Sequence, residues 1–281
     1  MKKYVCFTLV CLAGCLAMGL YELPPERLRV SFLDVGQGDA ILIQTPEGHN
    51  ILIDGGPGSK VLEELSDTLP FLHRKIDFMI LTHPHSDHIE GLVEVLKRYE
   101  VGSVLLTLVN YNNYYYEEFL RDLDETLSAS AEGDFEIFIA KASEDFRIGS
   151  VYFDVLYPFE SIASRDIDNL NNSSIVLRVS HLGTDGVWQS FLLSGDCEEE
   201  CEEEIIAEGF YLKSDVYKAG HHGSKTASSY DFVQAIYPDI AVIQCGEKNK
   251  FGHPHAGVLR TFKRLDVEQV LRNDLDGRIT F

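Results

Sequence analysis

Thr82-His83-Pro84-His85-Ser86-Asp87-His88 follows an apolar run, Phe78 to Thr82, and precedes a helical pattern beginning at Ile89. The segment is therefore displayed at the end of a buried strand. In an extended chain side chains alternate with period two, so His83 and His85 point the same way, while Asp87 and His88 at the helix start face a second point. Three imidazoles and one carboxylate so close together suit a borderline-soft divalent ion, and they divide into two adjoining metal positions. Pro84 stiffens the loop and lowers the entropy cost of holding the ligands.

One loop cannot close two coordination spheres, so distal ligands are expected. Leu192-Leu193-Ser194-Gly195-Asp196 is an apolar run ending in glycine and a carboxylate able to bridge two ions. Val216 to Ala219 runs into Gly220-His221-His222-Gly223-Ser224, and Ile240 to Gln244 leads to Gly252-His253-Pro254-His255. Each polar group stands at a strand's C-terminal end beside glycine, which displays it on one rim of a sheet.

Working outward, 281 residues with 45% apolar and 25% charged composition are ample for one large core. Lys plus Arg number 24 against 45 Asp plus Glu, a net charge of −21, which excludes a broad nucleic-acid footprint. The imbalance is local: Ile205 onward carries ten basic and nine acidic residues, so an anionic substrate should be met by the C-terminal third. Six cysteines without a CxxC pair exclude a zinc ribbon or a disulfide framework. Three of them lie in the first fifteen residues, where Lys2 and Lys3, the apolar run Tyr4 to Leu12 and Leu12-Ala13-Gly14-Cys15 read as a lipoprotein-type leader acylated at Cys15. Residues 1–25 are thus expected to be a signal or membrane segment, and 26–281 one hydrolase domain on the extracytoplasmic face, lipid-anchored or secreted.

Short β-branched runs alternate with helical stretches in that domain, which predicts an α/β fold. Strands are expected at 29–33, 40–44, 50–54, 78–82, 101–108, 136–140, 151–156, 174–179, 190–193, 216–219 and 240–244, and helices at 61–72, 89–99, 117–127 and 198–208. The glutamate-rich 198–208 helix reads as a solvated face, and Cys197, Cys201 and Cys245 read as packing residues.

Asp34-Val35-Gly36-Gln37-Gly38-Asp39, Asp54-Gly55-Gly56, His83 to His88, Ser194-Gly195-Asp196, His221 to Ser224 and Gly252-His253-Pro254 occur in order from Leu28 to Phe281. Together they resemble the metallo-β-lactamase superfamily, and more narrowly the extracellular hydrolase domain of ComEC-type competence proteins. The resemblance implies an α/β (α+β) αββα sandwich, two mixed sheets flanked by helices, with a metal site on one edge. It implies two divalent ions, zinc or alternatively manganese, held by His83 and His85, by Asp87, His88 and His253, and by Asp196 between them. Asp87 and Asp196 would also orient the attacking water. Of His221 and His222, one would coordinate and the other move a proton, with the choice open. Lys218, Lys225, Ser224 and Asn172 would meet the substrate. The superfamily's third-motif histidine has no counterpart, Asn172 standing in its place, so one-ion occupancy stays open. Glu90 replaces a common glycine, and the absence of a polytopic channel implies a detached hydrolase domain.

The implied activity is a phosphodiesterase or nuclease on DNA or a shorter diester. The alternative is a phosphorylcholine or other cell-envelope phosphoester hydrolase, for which Asn110-Tyr111-Asn112-Asn113-Tyr114-Tyr115-Tyr116 could cage a quaternary ammonium. An inactive binding module is the third class. A membrane partner is expected through the leader, and no protein partner.

Overall fold

A computed structural model describes residues 27–131 and 133–281. The segment expected to be a leader, with Cys15, lies outside the described residues. Two seven-stranded sheets face each other. The first runs β16 (Ile279–Thr280), β1 (Arg29–Phe32), β2 (Ile41–Gln44), β3 (Asn50–Ile53), β5 (Phe78–Ile80), β7 (Ser103–Leu106) and β8 (Glu136–Ile139). The second runs β15 (Gln269–Arg272), β14 (Ile240–Ile243), β13 (Val216–Lys218), β12 (Trp188–Leu193), β11 (Val176–Leu182), β10 (Val151–Tyr157) and β9 (Phe146–Ile148). A two-stranded ribbon pairs β4 (Lys75–Ile76) with β6 (Glu100–Val101). Each large sheet has an antiparallel half, β16 to β3 and β9 to β12, continued by a parallel half, β3 to β8 and β12 to β15.

Alternation along the strands fills three cores. Ile41, Ile43, Ile51, Ile53, Leu177, Val179 and Leu193 face the space between the sheets. Their neighbours Leu42 and Leu52 turn outward onto the helices α1 (Lys60–Thr68), α2 (Ser86–Leu96) and α3 (Tyr114–Ala129). On the other side Leu192, Tyr217 and Ile243 pack under α4 (Glu199–Glu208), α5 (Tyr230–Ile236) and α6 (Ala256–Arg264). A short α7 (Asn273–Asp276) precedes β16. The central strands β2, β3, β13 and β14 are covered on both faces and read as continuous apolar runs, whereas β8, β9 and β10 alternate more and less buried residues.

Several boundaries differ from expectation for local reasons. α1 ends at Thr68 because Leu69 is extended before Pro70, leaving Phe71 and Leu72 exposed. α3 begins three residues before Glu117, since the Asn113 side chain accepts hydrogen bonds from the Tyr115 and Tyr116 amides. That helix start buries Tyr116, whose hydroxyl donates to Val109 O, so Tyr116 packs in the core while Tyr114 stays exposed. β11 starts at Val176, two residues late, because Ser174 is drawn into the site loop, its Oγ accepting from the Asp196 amide at 3.0 Å. Cys197 and Cys201 pack in the core as expected, but they also form a disulfide, against the expectation from the cysteine spacing. The ring it closes is five residues long, so replacing both by serine is expected to cost no more than about 2 kcal/mol in chemical denaturation.

α2 docks backbone to backbone on the loop after β3. The Gly55 amide donates to His88 O at 2.7 Å and the Gly91 amide to Gly56 O at 3.0 Å. A Cβ at Gly91 would stand 1.9 Å from Gly55 O, and one at Gly55 2.4 Å from the Leu92 amide nitrogen. Gly91→Ala is therefore expected to cost about 1–3 kcal/mol in urea unfolding. Glu90, by contrast, faces outward and accepts from the Gly58 amide.

Candidate metal centre

The C-terminal ends of β3, β5, β12 and β13 converge with the β1–β2 loop on one rim. After β3, Asp54 takes a left-handed conformation at φ 57° and accepts from the Thr82 amide at 2.8 Å and its hydroxyl at 2.6 Å. After β5, His85 caps α2, which places Asp87 and His88 in the first helical turn. After β13, His221 and His222 are both left-handed, at φ 46° and 54°. Such conformations cost about 1–3 kcal/mol each in non-glycine residues and persist where surrounding contacts fix them. Here the His221 amide donates to Gly195 O and the Ser224 amide to His221 O. The consequence is that the two rings diverge, with planes 67° apart.

Asp196 Oδ2 is the hub. The Nε2 atoms of four imidazoles surround it: His88 at 3.3 Å, His222 at 3.4 Å, His221 at 3.8 Å and His83 at 3.9 Å. Asp87 Oδ2 lies 3.3 Å from His222 Nε2, and His85 Nδ1 lies 3.0 Å from His83 Nε2. Behind the rings stand further carboxylates on the Nδ1 side. Asp54 meets His88 at 2.7 Å, Asp39 meets His222 at 3.0 Å, and Glu198 meets His221 at 2.8 Å. A carboxylate behind a histidine fixes its tautomer and aims the other nitrogen at a metal.

One ligand atom from each of Asp39, His88, Asp196 and His222 lies within 4.8 Å of the others, and all four residues are buried. His88 Nε2 and His222 Nε2, both facing Asp196 Oδ2, are buried without a hydrogen-bond partner. Buried polar atoms left unpaired are costly, and two aimed at one point fit a divalent cation. Imidazole and carboxylate are also the donors zinc and manganese accept, so the residues fit the ions.

The charges agree. Burial alone would depress His88 and His222, but Asp196 with Asp54 or Asp39 outweighs it and holds both imidazoles well above their ordinary range. Burial would raise Asp196, yet His222 and His88 hold it well below the usual carboxylate range. His83 lacks such close compensation, and burial followed by the neighbouring His88 pushes it well down.

The profile described as Metallo-beta-lactamase superfamily matches residues 33–125. The chain is 30% identical over 295 residues to ComE operon protein 3 of Bacillus subtilis, an alignment taking in 97% of this chain and 35% of that protein. The chain belongs to the metallo-β-lactamase superfamily. It is also 31% identical over 249 residues to Recombination protein 2 of Haemophilus influenzae, covering 86% of this chain and 27% of that one. The chain thus spans about a third or less of the length of these relatives. Among solved structures, Igni18, a metallo hydrolase from Ignicoccus hospitalis, shares the fold at TM-score 0.55 and 17% identity, over 90% of this chain and 98% of that one.

On this metallo-β-lactamase fold the structure brings His83, His85, Asp87, His88, Asp196, His221 and His222 together. His253 adjoins them, its ring centroid 5.6 Å from that of His221 and 6.2 Å from that of His222, and its Nδ1 3.4 Å from Gln37 Nε2. The residues expected to meet substrate are placed differently from one another. Lys218 is fully buried beneath the site, its ammonium on Asp39 and donating to Gly195 O at 2.9 Å, so it cannot meet solvent-borne phosphate. Asn172 is turned away, accepting from the Glu198 amide and donating to Glu200; its neighbour Asn171 faces Glu198 and lies 3.4 Å from His221 Nδ1. Ser224 is buried against the Thr226 hydroxyl. Lys225 is exposed and lines a groove with Glu199, Thr226 and Gly257.

Asp39, Asp54 and Glu198 were absent from the expected site residues. Asp54 obeys the same strand-end, glycine-flanked habit as Asp196, which is the signal that could have found it, while Asp39 stands beside Gly38 at the approach to β2. Glu198 was hidden in the glutamate run read as solvated. That reading is also wrong for Glu202, which is fully buried, accepts from the Ser228 and Ser229 amides and is pushed up by burial to about 7.

Proposed function

We propose that the chain is a metal-dependent phosphodiesterase acting on short or single-stranded polynucleotide, exported and tethered to the membrane by its leader. The observation that carries the chemistry is the single Asp196 oxygen faced by four imidazole Nε2 atoms, three of these rings backed by a carboxylate. His83, His85, Asp87, His88, Asp196 and His222 would hold one or two divalent ions. When bound, such ions acidify water to give a nucleophile and draw charge off phosphoryl oxygens.

His222 is fully buried among three carboxylates, which suits a ligand, whereas the His221 side chain is 25% exposed. Glu198 fixes the proton on His221 Nδ1 and is itself held by the Thr226 hydroxyl at 2.6 Å and the Asn169 amide at 2.6 Å. In the imidazolium form, with one proton held on Nδ1 by Glu198, His221 Nε2 would pass its own proton to the leaving oxygen, and Glu198 is its positioning residue. Glu198→Gln is expected to lower kcat by about 10–100-fold and to move the alkaline limb of the pH–rate profile to lower pH, since the imidazolium loses its carboxylate partner, with KM little changed. A fall in thermal stability with an unchanged pH profile would reduce Glu198 to a helix-capping role.

Support for polynucleotide comes from the names of the relatives, which include a recombination protein and, at 31% identity over 108 residues, a Ribonuclease Z of Aeropyrum pernix. It comes also from the site rim, where exposed Phe251 stacks on His253 at 5.6 Å with the Lys250 ammonium 5.1 Å from its ring. An exposed aromatic beside a cation is what an unpaired base stacks on. The test is a panel with zinc or manganese: single- and double-stranded DNA, bis-p-nitrophenyl phosphate, p-nitrophenyl phosphorylcholine and nitrocefin. Preferred cleavage of single-stranded DNA, with binding that weakens steeply as salt rises, is the expected result. Turnover confined to the choline ester would overturn the substrate class.

A further inference from the structure

The rim opposite the metal centre has an organisation of its own. β12 delivers Asp196 at its C-terminal end and runs antiparallel to β11, so the turn joining them, residues 182–188, lies at the far end of the sandwich. β1 also begins at that end, because two antiparallel pairings relate it to β3, whose C-terminal end meets the site. The two are in contact: Arg27 reaches Asp185 at 3.9 Å, and Arg27, Leu182 and Val187 line one hollow of about 410 Å³. The chain therefore enters the domain beside this turn.

Large apolar side chains are exposed here. Val187 is 59% exposed, Trp188 53%, Leu182 45% and Tyr152 42%. They form one patch, since Leu182 is the cross-strand partner of Trp188 and the Trp188 and Tyr152 rings are 6.2 Å apart. The Arg147 guanidinium lies 5.8 Å from the Tyr152 ring centroid. The nearby Asp185 and Asp154 are paired with Arg27 and Arg178.

We propose that this rim rests on a lipid bilayer, with Trp188, Val187, Leu182 and Tyr152 in the interfacial zone and the metal centre turned away from the membrane. The inference rests on the membrane-tethered reading given above. Its occupant follows from the chain outside the described residues: 26 residues precede Arg27, with an apolar run from Tyr4 to Leu20 and Cys15 within it. Cys15 lies only twelve positions before Arg27, a reach of at most about 40 Å when fully extended, and Leu20 seven positions before it, about 25 Å. A tether that short holds the entry rim at the bilayer surface. Tryptophan and tyrosine favour that zone because one end of each ring system is apolar and the other hydrogen-bonds. Arg147 can extend its apolar stem along the patch and keep its head at phosphate level. With a net charge of −21 the attraction is apolar rather than coulombic, so zwitterionic lipid suffices.

Trp188 is the only tryptophan of the sequence, so its emission reports this rim alone. The full chain would be reconstituted into phosphatidylcholine vesicles with and without lipid brominated near the top of its acyl chains. Expected are co-flotation with the vesicles, a blue shift relative to detergent, and quenching of roughly half the emission by bromolipid. Leu182→Asp with Val187→Asp should abolish the shift and the quenching while flotation and hydrolysis of a soluble diester persist. A chain that floats but whose emission ignores bromolipid overturns the inference alone. A chain that does not float overturns the tethered reading and this one with it. Quenching by a single-stranded oligonucleotide in place of bromolipid also overturns it, and makes the patch a base-stacking surface.

Discussion

Asp196→Asn is expected to lower diester hydrolysis by on the order of 10³-fold and to remove bound metal, with little change in the folded structure. The substitution keeps the shape of the side chain and removes its charge from the point where four imidazole nitrogens meet. Asparagine is more informative than alanine because Asp196 is 1% exposed, and truncation would leave a hollow under the histidines. With the charge gone, His88 and His222 lose the first carboxylate that holds their protons, so both should titrate lower in the metal-free protein. Proton NMR of the imidazole resonances checks that direction. Activity within tenfold of the parent would remove Asp196 from the centre.

Lys218→Met is expected to act on stability before it acts on catalysis. The Lys218 ammonium is fully buried against Asp39, the carboxylate that orients His222. Breaking a buried pair by removing one partner costs about 3–5 kcal/mol, because the remaining charge is left uncompensated. For a chain of this size that is roughly 6–20 °C in the thermal midpoint. Adding Asp39→Asn to Lys218→Met should restore part of the loss, since both charges are then gone. A lysine that met substrate would instead raise KM and leave the unfolding transition in place.

The buried Lys218 shows where a sequence stops being legible. A lysine beside a histidine pair reads as a phosphate contact, because nothing local reveals that β13 lies between β12 and β14 inside a run of four parallel strands with both its faces covered. The metal loop was readable for the opposite reason: its spacing is local, and the strand and helix that orient it adjoin it directly. The supporting carboxylates are non-local. Asp54 lies 34 residues from His88, and Glu198 lies 23 from His221. Their pairing depends on a backbone-to-backbone docking that glycines permit but do not announce. The same holds for β16, which joins the first sheet by pairing with β1 across 249 residues between Ser31 and Thr280. Periodicity located nearly every strand of the two sheets' buried halves. It left β9, β15 and β16 unassigned, along with α5, α6 and α7, because these segments are short or half exposed and their apolar faces are defined by partners distant in sequence.

The most direct measurement is metal content. The full chain would be stripped with EDTA, dialysed against zinc or manganese and assayed by plasma emission spectrometry beside His88→Ala and Asp196→Asn. The convergent imidazoles and carboxylates predict about one to two equivalents in the parent, and a rise in thermal midpoint on metal addition that both variants lose. Metal below about a tenth of an equivalent in the parent, or equal retention by parent and variants, would contradict a metal centre built around Asp196.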